Sequence, residues 1–383
     1  MINILVVSLQ GIGNTLMTLC AAEKLMEQYP VNLSVAVSNN GSQELALSQF
    51  PKGRVYIWDE SDVAAKNVIR LGRKLRHMCF DRVYLAYPSY KREGVVGLLT
   101  KAREKKVLLD GAGDWKFLRK IYKSKIWKPA NMHDINANYA LFGVESQGCL
   151  NPGGMFRRKI ENEYGNYADS FFSEGGLADK FVIAVHPGAN GDGKRWGTDK
   201  LIKLCGELHD RFACRFVIVG GSDELKLKQT VAKGIGESAV PLDSATLFQT
   251  ASIIQRCSLF IGNDSAPMHI SAVLGVPVVA LWSYTDFHRT SPYGPGNIII
   301  RKAYPCSPCY SFNGSFTDNC KFGMKCIKNL ELDDVLPVVS HCVEVMLDKK
   351  RRINAEDVNS LKLNGIEKVY GLEHGCVVVD FRG

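Results

Sequence analysis

No apolar run in this chain of 383 residues approaches the roughly 20 needed for a membrane-spanning helix. The Ile4–Val7 run is too short for the core of a secretory leader and leads straight into a glycine loop, so a cytoplasmic protein is expected. A dinucleotide fingerprint lacks its third glycine: Gly11 and Gly13 are present, and Leu16 stands in the remaining place, which weakens a Rossmann cofactor reading. The formal net charge of +9 would suit nucleic acid, but none of the familiar nucleic-acid motifs accompanies it. No nucleic-acid partner is expected.

With 46% of its residues hydrophobic, the chain can bury more core than one domain comfortably packs. The basic residues are clustered: Arg70, Arg73, Lys74 and Arg76, then Lys101, Arg103, Lys105 and Lys106, then Lys116 to Lys128 interleaved with Trp115, Phe117, Tyr122 and Trp127. The last cluster suits peripheral contact with an anionic inner-membrane surface, or equally a solvated face over an aromatic core side. Of the 12 cysteines, most sit in apolar segments and read as small buried hydrophobes. Cys306, Cys309, Cys320 and Cys326 share one polar stretch. That spacing permits a tetrahedral thiolate metal site, or reduced thiols packing a loop.

The alternation of apolar runs with helical segments predicts an α/β fold with parallel, doubly wound sheets. In the first half, a buried strand Ile2–Val7 meets the Gln10–Asn14 turn and a helix from Thr15 to about Gln28, and strands follow at Leu33–Val37, Val55–Ile57, Arg82–Ala86 and Lys106–Leu109. The pattern restarts at Phe181 with a strand ending in His186-Pro-Gly-Ala. We expect domains over 1–165 and 166–345, and a tail over 346–383 that packs back on the N-terminal domain or mediates association.

Chemistry concentrates at strand ends. Lys194 and Arg195 follow a glycine loop, where backbone amides and a cation together suit a pyrophosphate. Glu224, after Gly220 and Gly221, can accept from a ribose diol or simply complement a helix N-terminus. The run Leu259–Trp282 reads as strand, polar loop, short helix, strand; Asp264 or Ser265 is the N-cap candidate, Pro267 an early helical proline, and Gly275 the C-cap. Asp264 and His269 lie in or beside that mouth, where open α/β sheets take anionic ligands.

In order along the chain, Ile4–Asn14, His186-Pro-Gly-Ala with Lys194-Arg-Trp196, Gly220–Glu224 and Gly262–His269 resemble glycosyltransferase family 9, the heptosyltransferase-like enzymes of the lipopolysaccharide inner core. Cys306 to Cys326 is similar to the second heptosyltransferase subgroup. The resemblance implies a GT-B fold, two Rossmann-like doubly wound parallel-sheet domains facing a central cleft, and an inverting, metal-independent transferase. It implies an ADP-linked heptose or another nucleotide sugar as donor, no further cofactor, and a glycan or glycolipid acceptor. Carried over, Lys194 and Arg195 contact the diphosphate, Glu224 the ribose, and Asp264 and His269 the diphosphate and sugar. Gly188, Gly262, Ser265, Ala266, Pro267 and Met268 line the donor site, and Gly11, Gly13 and Asn14 the acceptor side.

One position departs from the family. Where its glycine loop carries an aspartate that resembles a general base, this chain has Asn14, and an amide cannot take a proton at neutral pH. His269, Asp286 and His288 are then the candidates, unless the acceptor is positioned differently. A transferase of another acceptor, protein or small molecule, and a catalytically weakened nucleotide-sugar-binding protein both stay open. A nucleotide-sugar hydrolase or epimerase is less favoured, because no motif contains an acid and base pair.

Overall fold

The computed structural model describes residues 1–60, 64–89, 91–109, 122–129, 131–145, 152–309, 320–349, 351, 353–361 and 365–383. These fall into two units, residues 1–156 and residues 157–383. The sequence reading put the boundary at 165/166, inside the helix Gly154–Glu174.

In the first unit the strands are β1 (Ile2–Ser8), β2 (Val31–Ser38), β3 (Val55–Trp58), β4 (Phe80–Leu85), β5 (Ala102–Leu109) and β6 (Ser124–Trp127). They form one parallel sheet in the order β3-β2-β1-β4-β5-β6. Ile4 to Val7 are buried, as a central strand covered on both faces requires. The order reverses between β1 and β4, and the turn after β1 enters the helix Ile12–Gln28 at that switch point.

The second unit holds β7 (Val182–His186), β8 (Arg215–Ile218), β9 (Ala239–Pro241), β10 (Leu259–Asn263), β11 (Val278–Trp282), β12 (Ile298–Ala303), β13 (Ile366–Gly371) and β14 (Val377–Arg382). Its sheet runs β13-β14-β12-β11-β10-β7-β8-β9. Without the last two strands this is the order of the first sheet, with the switch point between β7 and β10. The expected α/β, doubly wound parallel architecture is therefore present twice.

In the tail, β14 pairs parallel with β12, and β13 closes an antiparallel hairpin on it. Val377, Val378, Val379 and Phe381 are buried there, so the apolar run extends the second core.

The first basic cluster falls on a solvated face. On the helix Ala64–Leu75, Val68, Leu71 and Leu75 point inward while Arg70, Arg73 and Lys74 are exposed, the i, i+3, i+7 pattern of an amphipathic surface helix. Lys125 and Trp127 stand on the exposed side of β6. Trp115, Lys116, Phe117, Arg119 and Lys120 lie outside the described residues, so only part of the third cluster is placed. No helix among the described residues is long and apolar enough to cross a membrane.

Candidate active site

Four strand ends of the second unit carry the polar residues. His186 ends β7, the turn after β8 leads to Glu224, Asp264 follows β10, and Thr285 follows β11. These strands are neighbours in the order β8, β7, β10, β11, so residues up to 99 positions apart in sequence share one edge at the switch point, where open α/β sheets bind ligands.

An ion pair occupies one side. Lys194 Nζ donates to Asp264 Oδ2 at 2.7 Å, and Thr285 Oγ1 donates to the same oxygen at 2.8 Å. Burial pushes the Asp264 carboxyl up, but the Lys194 ammonium and the two hydrogen bonds prevail and hold it below the usual carboxylate range. The lysine is supported from behind. Asn263, fully buried, donates to the Pro187 and Gly188 carbonyls at 3.1 Å and accepts from the Trp196 amide at 3.0 Å, which pins both glycine-rich segments to β10. A Cβ on Gly193 would stand 2.6 Å from Met324 Cε, so the backbone before Lys194 lies directly on the cysteine-rich stretch.

A second pair lies across β7. His186 Nε2 is 2.9 Å from Glu224 Oε2, and its Nδ1 is 2.9 Å from Ser265 Oγ. Because the carboxylate only accepts, Nε2 carries the proton toward Glu224. The Gly221 amide donates to the same Oε2 at 2.9 Å. Burial raises the Glu224 carboxyl, and the His186 and Gly221 hydrogen bonds outweigh it, with a net shift downward. Oε1 lies against Gly188, where a Cβ would overlap it, and a Cβ on Gly220 would stand 2.6 Å from Oε2. Both glycines are therefore required by close approach of the Glu224 carboxylate.

Between the pairs lies the helix Ala266–Leu274, with Ser265 at its N-cap, Pro267 in its first turn and no side chain capping its first amides. Ala266, Pro267 and Met268 are this first turn, and Gly262 is buried within β10, where an added Cβ would stand 3.1 Å from the His186 carbonyl oxygen. His269 is buried on the same helix. Burial drives its imidazole down from 6.5 to about 4; the Asp264 charge resists and the Lys194 charge reinforces this. His269 is thus neutral at pH 7. Arg195 is partly exposed, donating to the Ala189 carbonyl at 3.2 Å and pairing with Asp192 at 2.9 Å.

The other candidate bases, Asp286 and His288, contact each other. Asp286 caps the helix Phe287–Thr290 and contacts His288 Nδ1 at 3.1 Å. In the first unit, Gly11 is the N-cap of the helix Ile12–Gln28, and Gly13 and Asn14 lie in its first turn; the Asn14 carbonyl accepts from Thr18 Oγ1 at 3.0 Å. A Cβ on Gly11 would meet nothing within 4 Å, so packing within the chain does not demand glycine there.

Cys306, Cys309, Cys320 and Cys326 line one cavity of about 270 Å³ with Tyr284, Tyr304 and Phe322. Burial, reinforced by the neighbouring thiols, raises Cys309 and lifts Cys326 to about 11. No group of three or more His, Cys, Asp or Glu side chains among the described residues is placed to hold a metal ion.

Sequence reasoning missed the parts played by His186 and Thr285. Each directly ends or follows a buried strand, and that placement is the signal that could have found them.

Burial of His269 has a measurable consequence, shared with His374, which burial also drives to about 4. Between pH 6.5 and 4 the unfolded chain binds protons at these positions that the folded chain does not. Stability is therefore full above pH 6.5 and falls as pH drops through that window. Urea unfolding at pH 7 and pH 5 should show the loss, and His269→Asn should reduce it; an equal loss in wild type and variant would contradict the assignment.

Fold and site define a two-sheet α/β protein with charged pairs gathered at the strand ends of its second unit. The sequence model of glycosyltransferase family 9 (heptosyltransferase) matches residues 68–318. The chain belongs to this family. It is 29% identical over 167 residues to lipooligosaccharide heptosyltransferase 2 of Campylobacter jejuni subsp. jejuni serotype O:2, covering 41% of this chain and 49% of that protein. The chain thus spans about half the length of this curated relative. Among solved structures it is similar to E. coli heptosyltransferase WaaC with ADP, with a TM-score of 0.66 and 15% identity over 91% of this chain and 100% of that one. E. coli ADP-heptose lps heptosyltransferase II gives a TM-score of 0.65 and 18% identity over the same shares. These likenesses show the fold, GT-B with two Rossmann-like units.

Proposed function

We propose that the chain is an inverting glycosyltransferase that moves a heptose or related sugar from an ADP-linked donor to a lipopolysaccharide-core acceptor. The observation that carries this reading is the pairing of Lys194 with Asp264 and of Glu224 with His186 at adjacent strand ends. A cation beside an uncapped helix N-terminus suits a diphosphate. A carboxylate with one oxygen saturated and the other turned to a glycine-walled space suits a ribose diol.

In this reading Lys194, held by Asp264, and the amides of the Ala266–Leu274 helix neutralise the charge that builds on the departing diphosphate, a stabilisation that grows in the transition state. Arg195 supplies outer positive charge. Neutral His269 adds no charge beside Lys194 and can hydrogen-bond the phosphate or sugar. Direct displacement breaks the anomeric carbon–phosphate oxygen bond, inverts the anomeric centre and passes the acceptor hydroxyl's proton to a base, a part we give to the neutral His269 imidazole. Asn14 orients the acceptor hydroxyl by hydrogen bonding without taking that proton. No metal is assigned a part. Peripheral contact with anionic headgroups is assigned to the third basic cluster, of which Lys125 stands beside the exposed Trp127 on β6.

Incubation with ADP-heptose and a deep-core lipopolysaccharide acceptor should release ADP and give a product of inverted anomeric configuration by NMR. Retention of configuration would sink the mechanism. The Asn14→Asp variant should keep or raise turnover, by up to the roughly 10²–10⁴-fold that a positioned base contributes. A variant that folds and binds donor but turns over more slowly would show that Asn14 is not on the acceptor side.

A second reading, a nucleotide-sugar-binding protein with weakened turnover, is favoured by Asn14 alone. It predicts ADP binding without product, and Asn14→Asp then restores product.

A further inference from the structure

Lys228 has no place in the chemistry above, yet it is among the largest fully buried side chains, 1% exposed. It lies one turn beyond Glu224 on the helix Leu225–Ile235. Its ammonium points at three backbone carbonyls: Leu242 at 2.5 Å, Gly220 at 3.4 Å and Asp243 at 3.4 Å. Burying an ammonium costs several kcal/mol unless it is paired and hydrogen-bonded, and a methionine would fill similar space without that cost. Burial pushes the Lys228 pKa down, while the carboxylates of Asp243, Glu224 and Asp223 oppose the shift.

The three carbonyls belong to two loops. Gly220 follows β8, Leu242 and Asp243 follow β9, and these strands pair in parallel up to Ile218 and Pro241. Lys228 therefore ties together the carboxyl ends of neighbouring strands just past their last pairing. The turn it holds on the β8 side runs from Gly220 to Glu224, and the Gly221 amide fixes the Glu224 carboxylate. Lys194 and Asp264 stand on the other side of β7, beyond the reach of this clamp.

We propose that Lys228 is a positioning residue for the nucleoside half of the donor, turning the Gly220 and Asp243 carbonyls inward so that the Glu224 carboxylate and the β8–β9 edge stay shaped for ribose and base. The inference rests on the reading of this mouth as a nucleotide-sugar site. It separates two parts of one ligand: the nucleoside side depends on Lys228, and the diphosphate side does not.

The test compares ADP with inorganic pyrophosphate, by calorimetry and by competition, on the full chain. Wild type should bind ADP more tightly than pyrophosphate. Lys228→Met should weaken ADP at least tenfold while pyrophosphate changes less than twofold, and Lys228→Arg, which keeps the cation and its donors, should recover part of the loss. If Lys228→Met fails to fold, Lys228→Gln carries the same comparison. A wild-type ratio of ADP to pyrophosphate affinity in a folded Met or Gln variant overturns the proposal, as does equal loss of both ligands. Wild type that binds neither ligand overturns the nucleotide-sugar reading itself and this inference with it.

Discussion

Lys194→Ala will weaken binding of an ADP-linked donor by about 1.5–3 kcal/mol, the scale of hydrogen bonds to charged groups, or roughly 10- to 150-fold. The same change leaves Asp264, only 6% exposed, without its cation. Removing one partner of a buried pair costs about 3–5 kcal/mol; because Lys194 is 20% exposed, the loss should fall at or below the lower end. Calorimetric titration with ADP and urea unfolding read the two effects separately. Asp264→Asn relieves the orphaned charge, so Lys194→Ala in that background should lose less stability while still losing donor. If Lys194→Ala binds donor as wild type does, Lys194 is a structural cation only.

Gly188→Ala has the second large effect, for a steric reason. The added Cβ would overlap Glu224 Oε1 and stand 3.0 Å from His186 Nε2. The carboxylate can swing away, but only by abandoning His186 and the Gly221 amide. We expect about 2–3 kcal/mol lower stability and at least tenfold weaker ADP binding, with the fold kept. The Glu224→Ala background isolates the cause. There the methyl group meets space already vacated, so Gly188→Ala should add little, and the cycle should show a coupling of about 2 kcal/mol. Strict additivity would mean that Gly188 is needed for something other than the carboxylate beside it.

Much of this was legible from residue patterns. Leu201, Leu204, Cys205 and Leu208 recur at helical spacing, and they line the buried face of a helix that runs from Thr198 to Phe212. The continuous apolar runs at Ile183, Phe260 and Val279 became central parallel strands because both faces of such strands are covered. Shorter or less regular strands did not announce themselves. β9 has three half-buried residues, β6 carries lysine and tryptophan on its exposed side, and β13 pairs with a register shift between Ile366 and Lys368.

The site divided in the same way. Lys194, Glu224 and Asp264 were each found as polar residues at strand ends, a local signal. Their partners depend on strand order, which sequence does not spell out: β7 between β8 and β10 brings His186 to Glu224 across 38 positions, and β11 beside β10 brings Thr285 to Asp264 across 21. The cysteine spacing brought four thiols to one cavity, and Cys309, Cys320 and Cys326 also pack against the second core. Lys228 carried no motif at all, because its partners are backbone carbonyls.

The central claim is that the strand ends of the second unit hold a nucleoside-diphosphate sugar through Lys194 and Glu224. Calorimetric titration of the full chain with ADP, alongside Lys194→Ala and Glu224→Ala, tests it most directly. The account predicts saturable one-site binding by wild type, weakened at least tenfold in each variant. Wild type that shows no binding to ADP, or variants that bind as tightly as wild type, would contradict it.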